Sequence, residues 1–310
     1  MSNCLVLGAN GFIGSHLVDS LSNAGHDVTA FDRFRSGNVA FEATNIRRVV
    51  GDFLSIGDLK EVVRDQDYVF HFLSLTNPAM SEDDPTLDVR TNVSQSIELF
   101  RLCAEASVRR IFFASTGGAI YGDQGQSVYS ETDQALPVSP YGIGKLTLER
   151  YLHYFRTKHG LESVSLRISN PYGTRQHRER KQGLIPIVLR QIAANEPVVR
   201  FGTGTMIRDF IYVDDVARMI AAMTTKPLNF DVYNIGSGVG FSVGEVLDII
   251  RQVTQKSYSI REAPVPSTYL NEVVLDTGRY SAEFGAEPLT PLAEGIAKTW
   301  EHERVPAASH

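Results

Sequence analysis

The chain has 310 residues, 43% hydrophobic and 21% charged. That mix suits a well-cored globular protein and excludes a disordered chain, a collagen-like fibre and a small disulfide scaffold. Its 30 Lys and Arg against 36 Asp and Glu leave a formal net charge of −6, so no general nucleic-acid binder is expected, and an anionic ligand must be held by local arginines.

The two cysteines, Cys4 and Cys103, sit in apolar patterns, which argues against a disulfide framework or a metal site and for a reduced, cytoplasmic setting. The first apolar run stops at Gly8 with no basic segment before it, and no stretch reaches the ~18 apolar residues of a membrane span.

In chain order, Cys4–Leu7 reads as a buried strand, Phe12–Ala24 as a helix, Asp27–Phe31 and Ile46–Val50 as strands. Asp67–Phe72 is a fourth strand, Leu87–Ala106 a long helix, Arg110–Ala114 a fifth strand, Tyr141–His159 a long helix and Ser163–Ile168 a further strand. Alternating apolar strands and helices predict a parallel sheet covered on both faces, with ligands at the carboxyl ends of the strands. After Asn170 the pattern loosens. Thr174–Gln182 is polar and arginine-rich, followed by a helix over Leu184–Ala194, strands near Val198–Phe201 and Phe210–Val213, a helix over Asp214–Met223, and a last helix near Ala293–Glu303.

Gly8-Ala-Asn-Gly11-Phe12-Ile13-Gly14 follows the first strand and opens the first helix. Glycines there permit a tight turn and close approach of a diphosphate, and the helix start offers free N–H groups to the anion. Asp32 ends the second strand, where a carboxylate bonds ribose hydroxyls and repels a 2′-phosphate. NAD is therefore favoured over NADP, although Arg33 and Arg35 stand nearby. Asp52-Phe53, after the third strand, is placed either to meet the adenine edge or to close a strand-end turn.

Tyr141 and Lys145 are four apart, on one helix face. An ammonium beside a phenol favours the phenolate, and a tyrosine so tuned can take a hydroxyl proton while hydride leaves the same carbon. Tyr154 and Lys158 repeat the spacing but lie about 220° around the helix from Tyr141, so the two pairs cannot share a site. Ser115 and Thr116, at the end of the fifth strand, can donate to a developing alkoxide or relay its proton.

These motifs, with Tyr121-Gly122, the stretch Arg167 to Gly173 and the stretch Ile207 to Asp215, occur in an order that resembles an extended short-chain dehydrogenase/reductase. The likeness is greatest to nucleotide-sugar epimerases of the UDP-galactose (UDP-glucose, UDP-N-acetylglucosamine) 4-epimerase type and runs to about Asp276. It implies an α/β fold: a Rossmann-type doubly wound parallel sheet over 1–169 and about 209–237, with a smaller C-terminal α+β substrate domain over 170–208 and 238–310. It implies tightly held NAD, Tyr141 as base with Lys145, and Thr116 or Ser115 as relay. Leu73, Ser74 and Asn92 would border the cofactor, and Asn170 and Arg208 would hold a UDP-linked sugar. A homodimer formed by two long helices is also implied.

Two departures shape the expectation. The family's usual hydroxyl position is Gly117 here, so Thr116 or Ser115 must substitute. A late phosphate-binding arginine is missing from Pro264–Asn271, which leaves Arg208, Arg175, Arg178 or Lys181 for the diphosphate. Related 4,6-dehydratases carry an Asp-Glu pair where this chain has Gly117-Gly118, so elimination is disfavoured and 4-epimerisation of a UDP-hexose or UDP-N-acetylhexosamine is expected. The alternatives are a 4-ketoreductase, a dehydratase and a non-catalytic NAD-binding regulator.

Overall fold

The computed structural model describes residues 1–35, 37–177, 183–265, 270–286 and 288–304. Its elements open with β1 (Asn3–Leu7), α1 (Phe12–Asn23), β2 (Asp27–Asp32), β3 (Arg47–Val50), α2 (Ile56–Val62) and β4 (Tyr68–His71). Two short helices, α3 (Pro78–Asp83) and α4 (Pro85–Asp88), then lead through a single π turn (Val89–Val93) into α5 (Ser94–Glu105). There follow β5 (Arg110–Thr116), β6 (Val128–Tyr129), α6 (Pro140–His159), β7 (Glu162–Ile168) and β8 (Asn170–Tyr172). The rest comprises α7 (Leu184–Ala193), β9 (Val198–Phe201), β10 (Ile207–Tyr212), α8 (Val213–Ala222), β11 (Val232–Ile235), β12 (Gly240–Ser242), α9 (Val243–Thr254), β13 (Ile260–Ala263), β14 (Glu272–Leu275), α10 (Gly278–Phe284) and α11 (Leu292–Arg304).

Seven parallel strands form the large sheet in the order β3-β2-β1-β4-β5-β7-β11. Successive residues of a strand point to opposite faces, and here both faces are buried. Cys4, Val6, Phe70 and Phe112 pack on one side with Leu17, Leu21, Val216 and Ile220 from α1 and α8. Leu5, Leu7, Val69, Ile111 and Phe113 pack on the other with Leu59, Leu99, Phe100, Leu148 and Leu152 from α2, α5 and α6. This explains why the strands read as continuous apolar runs. The strand order reverses between β1 and β4, where the ends of both strands leave a crevice.

A smaller sheet runs β12-β10-β14-β6, with β8 also on β10. A third core, including Ile185, Leu189, Phe210, Val246, Ile250 and Trp300, joins it to α7, α9 and α11. The chain between 209 and 237 is shared: β10 belongs to the smaller sheet, while α8 and β11 return to the large one.

The expected helix over Leu87–Ala106 is interrupted by the π turn. By contrast α6 is a regular helix of 20 residues. Ser139 caps it by accepting from the Gly142 N–H at 3.2 Å, and Pro140 stands at its first position. Basic residues in the last turn complement the helix dipole, and Gly160 ends it at φ +68°.

Candidate active site

The glycine segment forms a tight turn at the crevice. Gly8 has φ +84°, a backbone shape that disfavours side chains, and a Cβ there would meet the Leu73 nitrogen at 2.9 Å. A Cβ on Gly11 would sit 3.0 Å from the Gly8 carbonyl oxygen, and one on Gly14 would overlap that oxygen. Gly8 therefore lets the turn close on the chain after β4, and Gly11 and Gly14 let α1 close on the turn. No side chain caps the start of α1, so the backbone around Phe12, Ile13 and Gly14 presents helix N–H groups and the positive end of the dipole.

Asp32 stands beside this turn. Its Oδ2 accepts the Asn10 N–H at 3.0 Å and its Oδ1 the Arg33 N–H at 2.7 Å. Asn10 also ties the loop after β2 to the turn: its Nδ2 donates to the Asn38 carbonyl at 3.1 Å and its Oδ1 accepts from the Ala40 N–H at 2.8 Å. The sequence reading passed over Asn10, whose only signal is a polar side chain inside the glycine motif. A tight turn, an uncapped helix start and a strand-end carboxylate fit a dinucleotide.

Asp52 closes a local turn, its Oδ1 accepting from the Leu54 N–H at 3.0 Å, and its own N–H donates to Asp58 at 2.8 Å. That bond and one from Ser55 hold the Asp58 carboxyl below its usual range. Phe53 is buried with its ring 5.2 Å from that of His71. Leu73 abuts Gly8, and Ser74 Oγ donates to the Thr76 carbonyl at 2.9 Å.

Asn92 lies in the π turn and fastens the loop after β4. Its Oδ1 accepts from the Leu75 N–H at 2.9 Å, while Nδ2 donates to Thr76 Oγ1 at 2.7 Å and Asp88 Oδ1 at 2.8 Å. The side-chain amide expected beside the cofactor is thus engaged within the protein.

Tyr141 and Lys145 are brought together on the first turns of α6, with the Lys145 ammonium 5.6 Å from the centre of the Tyr141 ring and 4.8 Å from that of Phe113. Lys145 donates to the Ala114 carbonyl of β5 at 2.7 Å, which fixes the ammonium at the end of the sheet. Desolvation lowers its pKa to about 8, against the pull of Asp88 and Glu149. Lys145 lines a small cavity with His71, Ser74, Asp88, Asn92, Ser96 and Gly144. Tyr154 is half exposed on the outer face of α6, away from this cavity.

The two candidate hydroxyls at the end of β5 differ in their surroundings. Ser115 Oγ donates to buried Glu149 at 2.6 Å, and Glu149 is paired with Arg167 at 2.8 and 3.2 Å. Among the described residues no partner holds the Thr116 hydroxyl, which lies at the carboxyl end of the strand. Gly117 is packed so that a Cβ would meet Leu275 Cδ1 at 2.5 Å. Tyr121 is buried, stacked on Tyr129 and bonded to Asn234 at 2.6 Å. At Gly122, φ is +71° and a Cβ would overlap the Leu136 carbonyl, so this pair supports the turn, as its sequence suggested.

On the smaller sheet, Asn170 lies across from Gly118, whose Cβ would be 3.7 Å from its Oδ1, and Asn170 Nδ2 donates to the Asp209 carbonyl at 2.9 Å. Arg208 points at backbone, donating to the carbonyls of Ile207 at 2.7 Å, Leu270 at 2.5 Å and Asn271 at 3.3 Å. Arg175 goes elsewhere: its guanidinium bonds Asp19 at 2.6 Å and Glu42 at 2.8 Å, against α1 and the loop after β2. Arg178 and Lys181 lie outside the described residues. Asp209, fully buried beside Arg208, accepts from Ser237, Gly238 and Leu275, and burial raises its pKa. It locks β10 to β14, a role invisible in sequence.

The NAD dependent epimerase/dehydratase family model matches residues 4–236. The UDP-glucose 4-epimerase of Thermotoga maritima, solved with UDP-glucose, is 33% identical with a TM-score of 0.89, over 97% of this chain and 98% of that one. The Thermus thermophilus UDP-glucose 4-epimerase, solved with NAD, is 30% identical with a TM-score of 0.89, over 98% of this chain and 100% of that one. A dTDP-4-dehydro-6-deoxyglucose reductase of Escherichia coli is 30% identical over 95% of each chain. With its glycine turn, strand-end Asp32 and Tyr141–Lys145 pair set on a Rossmann-type sheet, the chain belongs to the NAD-dependent epimerase/dehydratase family, the extended short-chain dehydrogenases/reductases.

Proposed function

We propose that the protein is a nucleotide-sugar 4-epimerase acting on a UDP-hexose or UDP-N-acetylhexosamine. The observation that carries this reading is the Tyr141–Lys145 pair at the end of the large sheet, with Lys145 fixed by the Ala114 carbonyl. NAD, when bound, supplies a hydride acceptor and donor. The Gly8–Gly14 turn and the start of α1 hold its diphosphate and Asp32 its adenosine ribose, with Leu73 and Ser74 along its border. Asn92 acts at one remove, by fastening the loop that carries Leu73 and Ser74.

Tyr141 takes the sugar hydroxyl proton and returns it. The Lys145 ammonium lowers the cost of the phenolate. Thr116 is the relay hydroxyl in this reading, because Ser115 is bonded to Glu149. Asn170 and Arg208 hold the nucleotide sugar from the smaller sheet; a guanidinium that now bonds carbonyls can exchange them for phosphate oxygens, which are stronger acceptors. Arg175, paired with Asp19 and Glu42, serves as a clamp on α1. In this division the large-sheet half carries the cofactor, and residues 170–208 and 238–310 carry the sugar nucleotide.

Inversion at one carbon requires no acid beyond Tyr141. The acidic pair that elimination uses is replaced by Gly117-Gly118, and a side chain at 117 would have to push Leu275 aside. The chain's likeness to the E. coli reductase favours a second reading, a nucleotide-sugar 4-ketoreductase; Asp32, unfavourable to NADP, weighs against it.

The test is to incubate the purified protein with a panel of UDP-sugars, adding no cofactor, and identify products by NMR. An epimerase interconverts two 4-epimers to equilibrium. Stoichiometric consumption of added reduced cofactor with a 4-keto sugar, and no epimer formation, would establish the reductase instead.

We further place the protein in the cytoplasm as a homodimer. Cys4 and Cys103 are buried free thiols, as suits a reducing compartment. Among the described residues no helix is long and apolar enough to cross a membrane. The outer face of α6 exposes Ile143, Tyr151 and Tyr154 along one stripe, which suits pairing with a second copy.

A further inference from the structure

We propose that Asp88 is a positioning residue for the Tyr141–Lys145 pair: its carboxylate, admitted by the missing side chain of Gly144, is the countercharge that keeps Lys145 an ammonium. This rests on the catalytic reading of that pair given above.

Asp88 is buried at the end of α4 and borders the same cavity as Lys145. Its Oδ1 accepts from two side chains. Asn92 Nδ2 gives one proton to Thr76 Oγ1 and the other to Asp88 Oδ1. The Thr76 hydroxyl, already accepting, directs its own proton to Asp88 Oδ1 at 2.6 Å. Two donors thus converge on one oxygen and fix the carboxylate in place. The second oxygen, Oδ2, lies against Gly144, the residue before Lys145, so closely that a Cβ on Gly144 would overlap it. Only glycine at that position of α6 lets the carboxylate approach.

The other groups around Lys145 favour the ammonium less than Asp88 does. From β4, His71 is neutral, its pKa brought down to about 3 by burial and the nearby ammonium. From β5 come two uncharged groups, the Ala114 carbonyl and the face of the Phe113 ring. On α6 itself, Glu149 also favours the ammonium, but less than Asp88 does, since Arg167 of β7 bonds both its oxygens, and Tyr141 is the group to be ionised. Among the described residues no cationic side chain pairs directly with Asp88, so its field reaches the ammonium unbalanced. A protonated Lys145 in turn favours the Tyr141 phenolate.

The experiment titrates lysines labelled at Cε with carbon-13 by NMR in the NAD-loaded protein, with the Lys145 signal assigned through Lys145→Arg. In the unaltered chain, Lys145 is expected to titrate near or above neutrality. In Asp88→Asn, of nearly the same volume, its midpoint should fall by about one pH unit, and the alkaline limb of the turnover profile should move down with it while NAD content stays constant. Gly144→Ala, whose methyl must displace the carboxylate, should shift the midpoint the same way. A midpoint unmoved in either folded variant, or one well below pH 6 in the unaltered chain, overturns the inference. The titration does not depend on the substrate: a shifted midpoint in a protein that epimerises no sugar upholds the role of Asp88 and removes the function, and an unshifted one in an active epimerase does the reverse.

Discussion

In the proposed reaction Tyr141 is the residue on which turnover depends. Tyr141→Phe keeps the ring but removes the acid–base group, so kcat should drop by about 10²–10⁴-fold while the bound NAD, measured in the denatured supernatant, stays stoichiometric. His71 sets an opposite kind of dependence. Its Nε2 meets Ser96 Oγ at 2.7 Å within a shell of aromatic rings, and it is held neutral in the fold, with a pKa of about 3 against 6.5 when unfolded. Below pH 6.5 the unfolded chain binds a proton that the folded chain refuses, so stability is lost as pH falls from 6.5 toward 3, at up to about 1.4 kcal/mol per pH unit. Urea midpoints taken between pH 7 and 5 should show this slope, and His71→Gln should flatten it. The glycines, Asp32, Tyr141 and Lys145 were legible because their chemistry follows from spacing next to a strand or on one helix face. His71, Asp88 and Glu149 were not, since a buried polar residue in an apolar strand or helix carries no local mark; its partner comes from a distant segment.

Among the elements, the long strands and α6 could be read from apolar runs and from the Ser139-Pro140 start. The stretch from Gly240 to Leu275 was missed, though α9 carried its own signal: Ser242 and Glu245 form a capping box before an apolar stripe. The π turn at Val89–Val93 was also hidden, because an extra residue in a helix leaves the apolar pattern nearly continuous. It matters for the site, as it lets Asp88 and Asn92 face the cavity while Leu99 and Phe100 face the sheet. Deleting exposed Val89 would restore regular helix and rotate the preceding turn by about 100°. Activity should then fall by about a hundredfold, with circular dichroism showing undiminished helix.

At the scale of the molecule, the exposed Ile143, Tyr151 and Tyr154 stripe on α6 predicts the assembly. Sedimentation equilibrium should give a dimer, and Tyr151→Glu should shift it toward the monomer with NAD still bound. The change in pattern after Asn170 coincides with the passage from the large sheet to the smaller one, but the stitching of the two was not legible, because it is made by contacts far apart in sequence. His16 of α1 meets Asp214 at 2.6 Å and the Thr174 carbonyl at 3.2 Å, and Val216, Ala217 and Ile220 of α8 cover the sheet face that α1 shares. The large sheet is therefore roofed by polypeptide that follows its last early strand, β7, by dozens of residues. A recombinant fragment ending at residue 169 would leave that flank bare to water. It should come out of expression aggregated, and co-production of the remaining segment in trans should recover it in soluble form.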